Sequence, residues 1–394
     1  HRCAQRACGR LARAVGVRAL GEDRLRVRLR SSVPWFVAAT AHPAFLPVPR
    51  AAVERHGREW AEPGKIVTSG PFVLAAMDED SFTLTKNPRW RNADAVAVDN
   101  VEGRIVPNPI ARVQAFDSGD VTALDGSPLP VEDIVALRER AEHELYPALG
   151  TDAYAFNLAS IRDVHQRRAM AVAIDRRALV DNVAEGEKLP ATRLTPAAAP
   201  ELGPEEDPSP WLPPEGDVEA AKNELARAET VKRRITLLHV DAPGNRAVAA
   251  ALRDAWRNLG IETVVRTRAR EEYLTFRGPL SAESTDLYQV EWGLELPEAM
   301  SWLAPWTCRA ARNKTNFCNP AFDRLIARAR RERSAIARGE LYARAEDMLT
   351  GARGAMPVIP VYWRTYSNLE ALAVRDSFAV NPLGQIDFSA VEVR

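Results

Sequence analysis

At 394 residues the chain is long enough for two or three domains and a sizeable core. Lys plus Arg and Asp plus Glu each number 53, so the formal charge is zero and no basic excess points to nucleic acid or an anionic membrane surface. No apolar run approaches the roughly 20 residues a membrane span needs, and none of the six histidines stands in a metal-ligand spacing with the four cysteines, so neither a metal nor a cofactor is expected.

In chain order, residues 23–30 alternate Leu25, Val27 and Leu29 with arginines, the pattern of a half-exposed strand. Gly70, Pro71 and Phe72 open a hairpin in which Phe82 and Leu84 alternate with polar residues and residues 78–81 make the turn. After a strand at 102–106, Asn108 and Pro109 read as N-cap and first helical position, Ile110, Val113 and Phe116 form the apolar stripe, and Gly119 is the stop. Asp163 and Asp175 cap two successive helices, which turn Met170, Ala171 and Ile174, then Leu179 and Val183, inward. Asp175 with His165 would make an acid and a base, but capping accounts for Asp175 and nothing in the sequence positions His165. Seven prolines between 196 and 216 mark an extended surface loop, and Asp217 caps the helix that follows. A βαβ unit comes next: strand 233–240, helix 245–258 with Val248, Leu252, Ala255 and Leu259 on one side, Gly260 as stop, and strand 261–267. Its first loop, 241–245, lacks the repeated glycines of a phosphate-binding turn.

Leu287, Gln289, Glu291 and Gly293 then alternate with Tyr288, Val290, Trp292 and Leu294 in a strand that ends in an acidic loop kinked at Pro297. Glu295 in that loop, with Glu298 as its competitor, stands beside Trp292 and ahead of Trp302 and Trp306, the makings of a cation pocket with an apolar wall. The segment by itself equally describes a core strand followed by a solvated acidic loop. Cys308 and Cys318 flank a polar loop that suits a disulfide in an oxidising compartment, the alternative being two independent thiols; Cys3 and Cys8 form a second local pair. Asn319 and Ser334 cap two more helices, with Phe322, Leu325, Ile326 and Ala329, then Leu341, Ala345, Met348 and Leu349, inward, and a strand runs from Met356.

Several of these stretches resemble one family. They are Gly70-Pro71-Phe72, residues 86–90 ending in Trp90, the helix-to-strand turn at 116–124, and the run Asp163, Arg168, Met170, Ala173, Ile174, Asp175, Arg176. The most extensive is Asn319, Pro320, Asp323, then Leu341, Tyr342, Ala345, Glu346, Leu349, then Pro357, Ile359, Pro360, Val361, Tyr362. Together they resemble the solute-binding proteins of oligopeptide, dipeptide and nickel ABC importers, family 5, from about residue 20 to the end. The resemblance implies a two-lobed α/β fold of the periplasmic binding protein type (type II, cluster C-like), with a ligand cleft between lobes. It places a remnant of an extra domain at 1–60, a first lobe at 61–150 with 371–394, and a second lobe at 151–370. It implies binding of a peptide or peptide-like solute without conversion: the strand of Gln289, Glu291, Trp292 and Gly293 pairs with the ligand backbone, Glu295 stands where the family's Asp holds the α-ammonium, and Tyr362 offers a ring to the cleft. The implied partners are membrane permease subunits, with the chain monomeric and periplasmic or extracellular. His1 is not a start residue and no signal pattern follows it, so the start is either processed or cropped; the resemblance implies that a front portion, with most of the extra domain and a signal or lipid-anchoring segment, belongs ahead of this sequence. The competing readings are a peptide hydrolase in the same cleft, for which no nucleophile or metalloprotease motif is present, and a fragment without function.

Overall fold

The computed structural model describes residues 16–31, 33–125, 129–130, 134–183, 188–199, 211–275, 284–293 and 298–394. Glu295, Cys3 and Cys8 lie outside the described residues, as do most of the prolines of the 196–216 loop. None of the helices described is long and apolar enough to cross a membrane.

The expected strand at 23–30 is short. β1 (Val17–Ala19) and β2 (Leu25–Val27) pair antiparallel, and all six residues are exposed, so the alternation Leu25, Val27 does not bury one face here. The hairpin that follows forms as the sequence indicates. β3 (Phe72–Met77), β4 (Ser81–Lys86) and β5 (Asn100–Arg104) make an antiparallel sheet, with Asp78 accepting the turn N–H groups of Asp80 and Ser81. Asn87 explains why two of the family-like stretches co-occur: its amide donates to the Gly70 carbonyl at 2.8 Å and its N–H to that of Pro71, so residues 86–90 fasten the start of β3. α1 (Pro109–Asp117) is capped by Asn108, which accepts from the N–H groups of Ile110 and Ala111.

The main sheet has seven strands: β6 (Ala123–Leu124), β7 (His143–Phe156), β8 (Lys188–Pro190), β9 (Arg234–Val240), β10 (Glu262–Arg268), β11 (Leu287–Gly293) and β12 (Val358–Glu370). Their spatial order is β10-β9-β11-β7-β12-β6, with β8 also on β12; β10, β9 and β11 run parallel and the other pairs antiparallel. On one face α2 (Val164–Val172), α3 (Arg176–Asn182), α4 (Val218–Leu225) and α5 (Pro243–Arg257) bury Met170, Leu179, Leu252 and Trp256 against Phe156, Leu287 and Ile359. On the other, α7 (Pro320–Ala329) and α8 (Ala335–Thr350), which follow α6 (Arg270–Thr275) in the chain, bury Phe322, Ile326, Tyr342 and Leu349 against Ala155, Tyr288 and Val358.

The caps read from sequence all form: Asp163, Asp175, Asp217, Asn319 and Ser334 each accept an N–H from the first turn of their helix. The arginines of the 163–176 run are scaffold. Arg176 is fully buried, its guanidinium donating to the carbonyls of Pro360, Ile174 and Ala171, and burial pushes its pKa down to about 9. Arg168 donates to the carbonyl of Gly354. These bonds tie the helical layer to β12 and its approach.

β7 and β12 are long because they serve different cores at their two ends. Their inner parts, Ala153–Phe156 and Val358–Val361, pack in the clusters just described, while Leu369 packs with Val113, Phe116 and Ile134, and Tyr146 and Tyr366 pack with Val374, Phe378 and Val391. Between these parts the ladder is irregular, with register shifts at Pro360/Tyr362 and Trp363/Thr365.

Candidate functional site

β11 carries the site because it loses a neighbour halfway along. On one side it pairs with β7 throughout, Leu287 opposite Phe156 to Gly293 opposite Gly150. On the other it pairs with β9 only at Leu287 and Tyr288. Asn157 N–H donates to the Asp286 carbonyl, which by the alternation of an antiparallel ladder turns the peptide groups of Tyr288, Val290 and Trp292 toward β7. Those of Gln289, Glu291 and Gly293 therefore face away. The Gln289 carbonyl is taken by the Tyr273 hydroxyl, and Val240 N–H, which would continue the β9 ladder, donates to the Gln289 side chain at 3.0 Å instead. Glu291 and Gly293 are exposed, and among the described residues no strand pairs with their outward main chain.

A cavity of about 460 Å³ opens along this edge. Trp292 and Trp306 form its apolar wall, ring centroids 5.6 Å apart, with Tyr273 from α6 beside them. Arg312 and Lys314 enter from the loop between the two cysteines, and Arg270 from the start of α6. Cys308 and Cys318 are bonded, Cα atoms 4.4 Å apart, so the loop bearing Arg312 and Lys314 is closed at its base.

The Glu291 face of the strand is a network of charges. Asp152 lies opposite Glu291 in the ladder and opposite Tyr362 on β12. Arg364 forks onto Asp152, Nε to Oδ2 at 2.7 Å and Nη2 to Oδ1 at 2.9 Å, and reaches Glu291 at 3.6 Å. Glu291 also takes Arg270 at 3.5 Å and the Gln289 amide at 3.1 Å. The bonds to Asp152 hold the Arg364 pKa above its ordinary value against the cost of burial. Gly150 makes room for this arginine: a Cβ there would sit 2.6 Å from Arg364 Cδ.

Of the residues singled out from sequence, Gln289, Glu291, Trp292 and Gly293 line the cavity together. Tyr362 stands apart from its lining, a half-buried ring packed on the first core with its hydroxyl pKa raised by burial. Trp302 is fully buried in the second core and forms no wall of the cavity; only Trp292 and Trp306 of the three do. Glu298 is unavailable as a competitor for an ammonium. It is 3 % exposed, accepts the Tyr342 hydroxyl at 2.7 Å and lies 3.4 Å from Arg338. His165 and Asp175 do not meet: Asp175 caps α3, and His165 Nδ1 lies 2.8 Å from Glu224. Sequence reasoning passed over Asp152, Arg270 and Arg364, which sit on three separate elements and come together only through the sheet order; the sole hint was that Arg364 lies two residues beyond Tyr362 on one strand.

Comparison with known proteins bears on the family and the fold. The family described as bacterial extracellular solute-binding proteins, family 5 middle, matches residues 6–314. The chain is 29 % identical over 389 residues to the periplasmic oligopeptide-binding protein OppA of Salmonella typhimurium, covering 94 % of this chain and 69 % of that protein. It is 28 % identical over 363 residues to the periplasmic murein peptide-binding protein MppA of Escherichia coli, covering 90 % of this chain and 66 % of that one. The chain thus spans about two thirds of the length of these curated relatives. In three dimensions it matches the unliganded open form of the murein tripeptide binding protein MppA with a TM-score of 0.85 at 26 % identity, over 96 % of this chain and 73 % of that one. The fold is the mixed α/β architecture of the two-lobed periplasmic peptide-binding proteins, and the chain belongs to the bacterial extracellular solute-binding proteins of family 5.

Proposed function

We propose that the chain is the solute-capturing component of a peptide-type ABC importer, acting outside the cytoplasmic membrane and handing its guest to permease subunits unchanged. The observation that carries this reading is the half-paired β11. An extended peptide laid along Glu291 and Gly293 would replace the missing ladder with main-chain hydrogen bonds, a contact that is indifferent to peptide sequence. Its side chains would alternate between the Trp292–Trp306 wall and the charged face of Glu291. Glu295, at the position of the family's ammonium-binding Asp, is the proposed counter-ion for the peptide amino terminus. The names of the relatives, oligopeptide-binding and murein peptide-binding proteins, support a peptidic guest.

Backbone pairing is tested with alternately N-methylated peptides in calorimetry. Each lost main-chain bond is worth about 0.5–1.5 kcal/mol, so methylating the amides of one register is expected to weaken binding about threefold to tenfold and methylating the other register to change it little. Equal affinity for both registers would rule out strand addition. Chromatography of the recovered peptide is expected to return it intact.

A further inference from the structure

The edge that β11 offers a guest is short, and Tyr273 stands where it ends. The peptide groups on that edge belong to Gln289, Glu291 and Gly293, and Val240 N–H, the donor a continued parallel ladder would bring to the Gln289 carbonyl, goes to the Gln289 side chain. The Tyr273 hydroxyl takes that carbonyl instead. A hydroxyl bonded to this oxygen occupies the place that the amide nitrogen of an added strand needs, because both approach the same acceptor along its lone pairs. Tyr273 is also fixed from behind. Its ring is partly buried against the core around Tyr288, its N–H donates to the Ala269 carbonyl, and burial raises the pKa of the phenol, which stays a donor. Val240, Tyr273 and the strand from Tyr288 to Gly293 all line one cavity, so this plug and the open edge face the same space. Among the described residues the open main chain is that of Glu291 and Gly293, which pairs with about three residues of an extended guest, those opposite Gly293, Trp292 and Glu291. A longer chain brings its next pairing amide against the Tyr273 hydroxyl and has to leave the sheet there.

We infer that Tyr273 sets how much peptide main chain this site can pair, ending the ladder at Glu291 and fitting the site to peptides of about three residues. The inference rests on the peptide-binding reading above. Serine-alanine peptides of increasing length, from dipeptide to heptapeptide, with free amino termini and amidated carboxyl ends, are compared by calorimetry. In the parent, affinity is expected to rise as far as the tripeptide and to gain less than about twofold from there to the pentapeptide. In Tyr273→Ala the pentapeptide is expected to bind about threefold to tenfold tighter than the tripeptide, the worth of one added main-chain bond. Tyr273→Phe, which keeps the ring and frees the carbonyl, is expected to give a ratio between these. An N-methyl group moved along the amides beyond the third residue is expected to cancel the gain at one position, which a site that was merely loosened would not show. Circular dichroism melts show whether the variants fold, and Tyr273→Phe decides alone if Tyr273→Ala does not. Affinity that climbs steadily to the pentapeptide in the parent would overturn the length limit and leave the peptide reading standing. A ratio near one in both folded variants would overturn the role of Tyr273. Binding of no peptide of any length would overturn both the inference and the reading beneath it.

Discussion

Glu370 shows how a single buried group sets a pH dependence in this molecule. Its side chain is fully buried on β12, accepting from the Asn368 amide at 2.9 Å and facing the Tyr146 hydroxyl at 2.9 Å, and that hydroxyl also lies 2.8 Å from the Phe378 carbonyl. One hydroxyl proton cannot serve both acceptors. A protonated Glu370 donating to Tyr146, which donates onward to Phe378, satisfies every group, and burial raises the Glu370 pKa in the same sense, outweighing the opposing contacts of Asn368, Tyr146 and Arg375, with Glu144 adding to the rise. A carboxyl with a raised folded-state pKa leaves stability intact below its unfolded pKa and subtracts from it as pH rises through the folded value. Glu370→Gln is therefore expected to gain denaturant midpoint relative to the parent at pH 8 and little at pH 4; a difference independent of pH in urea melts would contradict this. Close packing sets another limit at Gly150. The Cβ introduced by Gly150→Ala would collide with the Arg364 stem while Asp152 holds its head, at a cost of about 1–3 kcal/mol. The same variant is expected to weaken peptide binding measured by calorimetry, since Arg364 must leave Glu291 or Asp152.

At the level of elements, what the sequence shows is local. Caps, the βαβ unit and the β3–β4 hairpin were legible because each depends on residues within a few positions of one another, and their observed bounds fall within a few residues of those read from the pattern. β7 was not. From Ala148 to Phe156 every residue is buried, so no alternation marks it, and Pro147 and Gly150 interrupt what apolar run there is. β11 was readable as a strand, but that its outer edge stands open depends on where β9 ends in space. The loop between Cys308 and Cys318 brings Arg312 and Lys314 to the cavity. Replacing both cysteines by serine removes a constraint worth about 3 kcal/mol in loop-closure terms. The expected results are a lower melting temperature and weaker peptide binding in calorimetry. Unchanged binding would mean that Asn313 and its carbonyl partners suffice to hold the loop against the cavity.

Across the whole molecule, β7 and β12 are the continuous connection between the core around Leu369 and the cores around Phe156 and Tyr288. Between them lie the register shifts of β12, the Gly150 contact and the Arg364 fork, so the irregular part of the ladder adjoins the candidate site. A peptide seated on β11 would add its hydrogen bonds next to this region and contact Glu291, to which Arg364 on β12 is already attracted. Stability should then be graded along the sheet. Amides of Ala153–Phe156 and Val358–Val361, buried on both faces, are expected to exchange most slowly, and those of β1 and β2, exposed throughout, fastest. Peptide is expected to slow exchange in β11 and around Trp363–Thr365 while leaving β3–β5 unchanged. Mass-spectrometric exchange with and without peptide reads this directly: protection confined to β11 would separate capture from the long strands, whereas protection reaching β12 would place the coupling at the arginine fork.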